Sequence, residues 1–408
     1  MSNTLKFGNG EWYGKKDTIL AYNDENNNYK PLLFNFGRAT SATRVNKQGL
    51  IEVVGSGEPR VDYLNDANGA LLLEPQRTNL VTYSEQFDNA AWTNLADASV
   101  VTNAAFAPDG TMSADKLVEN TATAQHRIYR SISGASNTFS VFAKSDNRNY
   151  IGILANNGTR TYFNLSNGTI GSVSSGSTAN IENHGNGWYR CTLYNSHPTF
   201  GAMIQLSDNG TNDSYLGDGT SGVYIWGAQL EAGSYATSYI PTQGSQVTRV
   251  QDVCNNAGND QVINSTEGVL YLEAKVKTDD IFAANCIAVS DGTDTNRLLI
   301  IMYGNINSIR ASMNVGGVSQ FDFNLPSGYI QEQYYKIAVS YKVNDCKIFI
   351  NGTKILTDTS ATMPSTGTFN RLNFDLANGL YDFYGNVKEV KLYNTALTDQ
   401  ELQQLTTL

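Results

Sequence analysis

YYKIAVSYKVNDCKIFINGTKILTD, residues Tyr334 to Asp358, is the stretch on which the fold turns. Tyr335–Tyr341 alternates apolar and polar residues, the period of a half-buried strand. Val343–Asp345 reads as a turn, and Cys346–Ile350 alternates again. Asn351-Gly352 follows, a strong two-residue hairpin signal, because a type I′ turn needs positive φ at both positions. The chain then returns through Thr353–Thr357. The pattern predicts three antiparallel strands in a meander and no helix.

The same grammar runs along the rest of the chain. Phe139–Ser145, Gly187–Tyr194, Val223–Glu231 and Val269–Lys277 are short alternating runs broken by Gly, Asn and Asp. In Val223–Glu231 both alternating sets are largely apolar, which predicts a strand buried on both faces. The composition agrees: 36 Gly, 23 Tyr and only 16% charged residues suit pleated faces and tight turns. The one helical signal is at the end, in TALTDQELQQLTTL. Thr398 and Glu401 have capping-box spacing, and Leu402 and Leu405 share a face. The predicted class is all-β, with sandwiches in series and one short C-terminal helix.

At 408 residues the chain exceeds one core. Strand patterns stop near Gln76–Tyr83 and again around Pro241 to Asp252. The expected division is an N-terminal region 1–78, a middle sandwich 79–245 and a C-terminal sandwich 246–408. The densest junction is LLLEPQRTNLVTYSEQF, Leu71 to Phe87. Irregular backbone of this kind, once buried, needs side chains to satisfy its polar groups. It reads as a polar-stapled joint that locks the N-terminal region onto the middle sandwich. Arg60 beside Asp62, and Arg77 after Glu74, offer local ion pairs.

Charge narrows the function. The formal net charge is −10 with no basic cluster, so nucleic-acid binding has no electrostatic footprint. No run reaches the roughly 18 apolar residues of a membrane span. No basic-then-apolar leader opens the chain, so synthesis in a cytoplasm is expected, with release by lysis as one route outward. Cys191, Cys254, Cys286 and Cys346 are scattered and read as buried free thiols.

Few residues suggest chemistry. Trp188 and Tyr189 could stack on a sugar, although aromatics at strand centres more often serve a core. Asp291, Asp294 and Asn296 in SDGTDTN offer oxygen ligands for Ca2+; a hairpin turn uses the same residues for local backbone bonds and is the favoured reading. His126, His184 and His197 form no nucleophile arrangement. Glycoside hydrolysis needs two close carboxyls. Glu273 stands alone among apolar and basic neighbours, and Glu389 between lysines reads as a solvated strand face. Trp92 and Trp226 would be neighbours if the first and last strands of the middle sandwich adjoin.

Three resemblances add to this. INGTKI followed by GNVKEVKLYNTALTDQELQQL resembles the concanavalin A-like lectin and glucanase superfamily, laminin-G-like branch, over about Gly268–Leu408. APDGTMSADKLVEN, FSVFAKS, GNGWYRC and WGAQLEAGSYATSYIPT resemble a module of phage virion proteins and the jelly-roll carbohydrate-binding modules. RATSATRVNKQGLIEVV, PRVDY and LLLEPQRTNLVTYSEQF resemble the phage head-spike or head-fibre family. The resemblances imply a structural protein of a bacteriophage virion: a head or tail fibre or capsid decoration, attached to other virion proteins through its N-terminal region and displayed on the particle surface. They imply a homotrimer that adheres to host or environmental glycans; because the sequence shows no closely spaced carboxylate pair, the protein is not expected to be an enzyme. A polysaccharide depolymerase and a ligand-free capsid decoration are the alternatives.

Overall fold

The computed structural model describes residues 4–9, 14–15, 18–19, 22–23, 34–92, 94–133, 137–154, 158–195, 199–278, 284–304, 308–325 and 328–408. Apart from one short helix, Asp399–Thr406, its regular elements are strands. None of its described helices is long and apolar enough to cross a membrane. The chain forms two compact units, and neither is continuous in sequence. The first gathers residues 1–41, 54–75 and 250–408; the second gathers 42–53 and 76–249. The expected N-terminal region 1–78 is thus divided between the units. The reason is strand pairing that alternation alone does not reveal.

In the first unit that pairing is explicit. Thr4–Gly8 runs antiparallel to the last strand, Gly385–Tyr393, with Thr4 opposite Tyr393 and Gly8 opposite Glu389. Ala70–Leu73 joins the same strand through Leu71 to Leu73. The resulting nine-stranded sheet has Glu267–Val276 between Gly385–Tyr393 and Tyr335–Lys342. Cys346–Ile350 and Thr353–Asp358 extend it as the predicted meander, with Asn351 and Gly352 both at positive φ. A second sheet of five strands contains Ala284–Ser290, Arg297–Tyr303 and Ser308–Val315. One apolar core includes residues of both sheets, among them Leu270, Leu272, Ile287, Ile300, Val339 and Val390. Alternation leaves Tyr271 and Glu273 on the opposite face of the nine-stranded sheet.

The second unit pairs two six-stranded sheets. One carries Gly222–Ala232 between Ala114–Glu119 and Asn137–Ser145. As expected, nearly every residue of that central strand is buried. The other places Thr199–Ser207 between Arg127–Ser133 and Tyr150–Leu154. Phe139, Val141, Ile151, Phe163, Ile204 and Ile225 belong to their common core.

The joint Leu71–Phe87 is polar-stapled, but each end is anchored in its own unit. In the first unit Glu74 accepts from Arg60 at 2.6 Å, so Arg60 reaches past its neighbour Asp62. In the second unit Arg77–Asn79 pairs with Val247–Arg249. Asn79 is fully buried; its amide N donates to Ala228 O and Ile240 O, and its oxygen accepts from Val81 N and Leu230 N. The four cysteines are free and buried.

Candidate functional site

On the outer face of the nine-stranded sheet lies a hollow of about 450 Å3. Its floor is set by strand register. Glu273 stands directly opposite Glu389 on one side and Lys336 on the other. One row along, Tyr271 stands opposite Lys391. Between these rows and the strand end the register slips: Glu273 pairs with Glu389, but Ala274 pairs with Val387. Lys388 is the extra residue of that bulge, and a bulge re-aims the side chain it carries. The Lys388 ammonium sits 4.1 Å from the Tyr334 ring centroid and 3.2 Å from Asp66. Asn9, Asp66, Asn68 and Gly69 form one wall, and Gln404 and Leu405 of the C-terminal helix form another.

The lining carries three lysines and three carboxylates. Lys391 Nζ lies 2.7 Å from Glu389, which is 7% exposed, and 5.1 Å from the Tyr271 ring centroid. Lys336 Nζ donates to Thr407 O at 2.8 Å. Burial, then the charges of Glu273 and Glu389, push the Tyr271 phenol far above its ordinary range. It therefore stays protonated and donates to Glu273 at 3.3 Å. Among the described residues Glu273 makes no ion pair, so it is the lining carboxylate left for a ligand's donor. Glu273 is not isolated, contrary to what its local neighbours suggest: pairing of the first and last strands of the sandwich brings it to Glu389. No local spacing signals that contact.

Trp188 is 2% exposed, and its indole N–H donates to Phe106 O at 3.1 Å. Tyr189 is half-buried against the core of the second unit. Consecutive strand residues point to opposite faces, so the two rings do not share one platform, and Trp188 is enclosed. Trp92 packs on Phe87 at 4.9 Å, whereas Trp226 packs on Tyr239 at 4.6 Å in an aromatic group with Phe142.

Asp291, Asp294 and Asn296 sit in a hairpin turn whose oxygens are already engaged. Asp291 Oδ1 accepts from the Thr293 N–H and hydroxyl, and Oδ2 accepts from Asn296 Nδ2 at 2.8 Å. Burial pushes the Asp291 carboxyl up, but these hydrogen bonds outweigh it and hold it below the usual range. Asp294 is taken by Arg297 and Asn378, and Asn296 Oδ1 accepts from Gly316 N. The oxygens that a Ca2+ ion would use are thus taken by donors of the turn and its neighbours. No group of three or more His, Cys, Asp or Glu suited to a metal occurs among the described residues. His126 is buried between the carbonyls of Asp97 and Tyr215, and His184 lies 3.3 Å from Glu182. His197 lies outside the described residues.

With this geometry in place, residues 264–403 match the family described as the concanavalin A-like lectin/glucanases superfamily. Solved structures similar to this chain include the CBM40 of Ruminococcus gnavus IT-sialidase bound to α2,3-sialyllactose. It shares 19% identity over 38% of this chain and 94% of that one, with a TM-score of 0.32. Domain 4 of AbnA, a GH43 extracellular arabinanase from Geobacillus stearothermophilus, in complex with arabinotriose, is 15% identical over 43% of this chain and 83% of its own, with a TM-score of 0.31. Comparison with curated proteins finds no match.

Proposed function

We propose that the protein is a non-enzymatic, glycan-binding structural component of a bacteriophage particle, a head or tail fibre or spike. The observation that carries the binding part is the hollow at Glu273, in the unit whose residues 264–403 match the lectin/glucanase superfamily. Sugar hydroxyls both donate and accept, and walls that mix ammonium, amide and carboxylate groups supply both kinds of partner. The particle part is supported by the sequence resemblance of Phe34–Phe87. On this reading the N-terminal region attaches to other virion proteins, and the chain is made in the host cytoplasm and displayed on the particle. A homotrimer would turn weak single sites into strong multivalent adhesion.

Depolymerase activity is the second reading, favoured by the cross-strand pairing of Glu273 with Glu389. Against it stands the burial of Glu389 and its ion pair with Lys391, which occupy the group that would have to act on substrate. The test is a glycan array probed with the full chain and its Glu273→Gln variant, run beside a reducing-end assay on host polysaccharide. Glycan signal that Glu273→Gln weakens, without released ends, is expected. Released oligosaccharide would replace adhesion with hydrolysis, and silence across the array would leave ligand-free decoration. Mass spectrometry of purified particles tests the location, and absence of the chain would overturn it.

A further inference from the structure

We propose that the second unit holds a separate saccharide site on the outer face of the sheet containing Arg127–Ser133, and that it takes a carboxylate-bearing sugar through Arg127 and Tyr129. This goes beyond the reading above, which rests on the first unit.

Register defines the face. Ile128 opposite Ile204, and Ile151 opposite Phe163, point into the core. Arg127 opposite Gln205, and Tyr129 opposite Met203, therefore point outward. The Tyr129 ring lies across Gly201, where an added Cβ would come within 2.3 Å of the ring. Gly152 serves Tyr162 in the same way, at 2.8 Å. Small residues on the floor thus let tyrosine rings settle onto the sheet. Tyr129 remains half-buried.

The polar groups around it are unequally satisfied. Arg160 donates to Gln205 at 2.7 Å, to Asp213 at 2.8 Å and to Gln125 at 3.2 Å. Asp213 is neutralised by Arg160 and also accepts from the Tyr162 hydroxyl. Arg127 donates once, from Nη1 to the Gln125 oxygen at 2.8 Å. That bond orients the guanidinium, yet among the described residues no carboxylate pairs with it; its Nε–H is buried without an acceptor, which leaves the Nη groups to meet a ligand. In a chain with 38 acidic and 28 basic side chains, an arginine held in place with unused donors is a receptor for an incoming anion. A planar guanidinium matches the two oxygens of a carboxylate through parallel hydrogen bonds, which neutral sugar hydroxyls cannot reproduce.

Tyr129 supplies the other half. Residues two apart on one strand face lie about 6.6 Å from each other. One pyranose stacked on the Tyr129 ring can bridge that spacing with its exocyclic carboxylate and reach Arg127. The pair reads sugar face and acid group together.

The experiment is calorimetric titration of the full chain with trigalacturonate and with N-acetylneuraminyl-lactose, each against its carboxyl-reduced form. At least one acid should bind, with the reduced form about tenfold weaker or worse. Added salt should weaken the acid. Arg127→Gln and Tyr129→Ala should each lose about tenfold, and Glu273→Gln should change nothing. Equal affinity for acid and reduced sugar, full affinity in Arg127→Gln, or no binding of either acid would overturn the proposal. The comparison of acid with reduced sugar uses the unaltered protein, so it decides even if a variant fails to fold. Array binding lost in Glu273→Gln concerns the other unit and stands or falls separately.

Discussion

Arg60 and Asp252 are joined in an ion pair whose side chains are both fully enclosed. Arg38 completes the group, donating to the other Asp252 oxygen at 3.0 Å, and Glu74 takes Arg60 at 2.6 Å. The Glu74 and Asp252 backbones also bond to this group, through Glu74 N to Asp252 Oδ2 and Asp252 N to Glu74 O. Two cations and two anions thus hold three separated chain segments within one unit. Removing a single partner strands a buried charge. Asp252→Asn is expected to destabilise the first unit by about 3–5 kcal/mol, read as a lowered denaturation midpoint for that unit. A change below about 1 kcal/mol would mean that the pair is replaceable.

Asp382 introduces a pH dependence of the opposite sign from an ordinary salt bridge. Burial, then the charge of Asp375, push its carboxyl from 3.8 up to about 6, against the hydrogen bond from Tyr384. The native state therefore holds this proton longer than the unfolded chain does. The associated stability is present below about pH 4 and is lost as pH rises through 6. A two-unit shift corresponds to about 3 kcal/mol, and partial solvent exposure reduces it to about 1 kcal/mol. Asp382→Asn should raise the melting temperature at pH 7.5 and leave it unchanged at pH 4. A melting temperature lowered at pH 7.5 would contradict this assignment.

What the sequence disclosed follows distance along the chain. The turn at Asn351-Gly352, the capped helix at Thr398 and the doubly buried strand ending WGAQLE are local patterns, and each stands where local rules put it. Glu273 and Glu389 were opaque because their meeting depends on which strands pair and on the bulge at Lys388. Thr4–Gly8 reads as the start of a separate region until its partner, the last strand, is known. Trp188 shows the remaining gap: alternation says that it faces away from Tyr189, but not that the outer side is covered as well. Arg127 was indistinguishable from a surface charge, because only its surroundings in the fold show that it meets the Gln125 amide and, among the described residues, no carboxylate.

The C-terminal helix separates capping from packing. Thr398 accepts from Glu401 N, and Glu401 accepts from Thr398 N at 2.8 Å. Thr398→Ala should cost about 1 kcal/mol. Leu402 is fully buried against Val269, Tyr271, Ala338 and Phe349, so Leu402→Ala should cost about 2–4 kcal/mol. Because the same helix supplies Gln404 and Leu405 to the hollow, Leu402→Ala should also weaken glycan binding there. Equal losses in the two variants would show that docking of the helix contributes little.

Gly201 tests the tyrosine platform without touching a ligand-binding group. Its strand backbone is ordinary, so alanine meets no conformational strain there. The obstacle is the Tyr129 ring, 2.3 Å from the new Cβ at Cε2 and 2.7 Å at the hydroxyl. The backbone on either side belongs to a continuous sheet, with Ser131 opposite Gly201. The side chain is therefore the part free to yield. Gly201→Ala should keep the fold at a cost of about 1–2 kcal/mol while the ring swings off the sheet. Acidic-sugar affinity should fall as far as in Tyr129→Ala, with Glu273-dependent binding untouched. Calorimetry beside near-ultraviolet circular dichroism reads both effects. A displaced ring with undiminished affinity would show that Arg127 holds the anion without aromatic support.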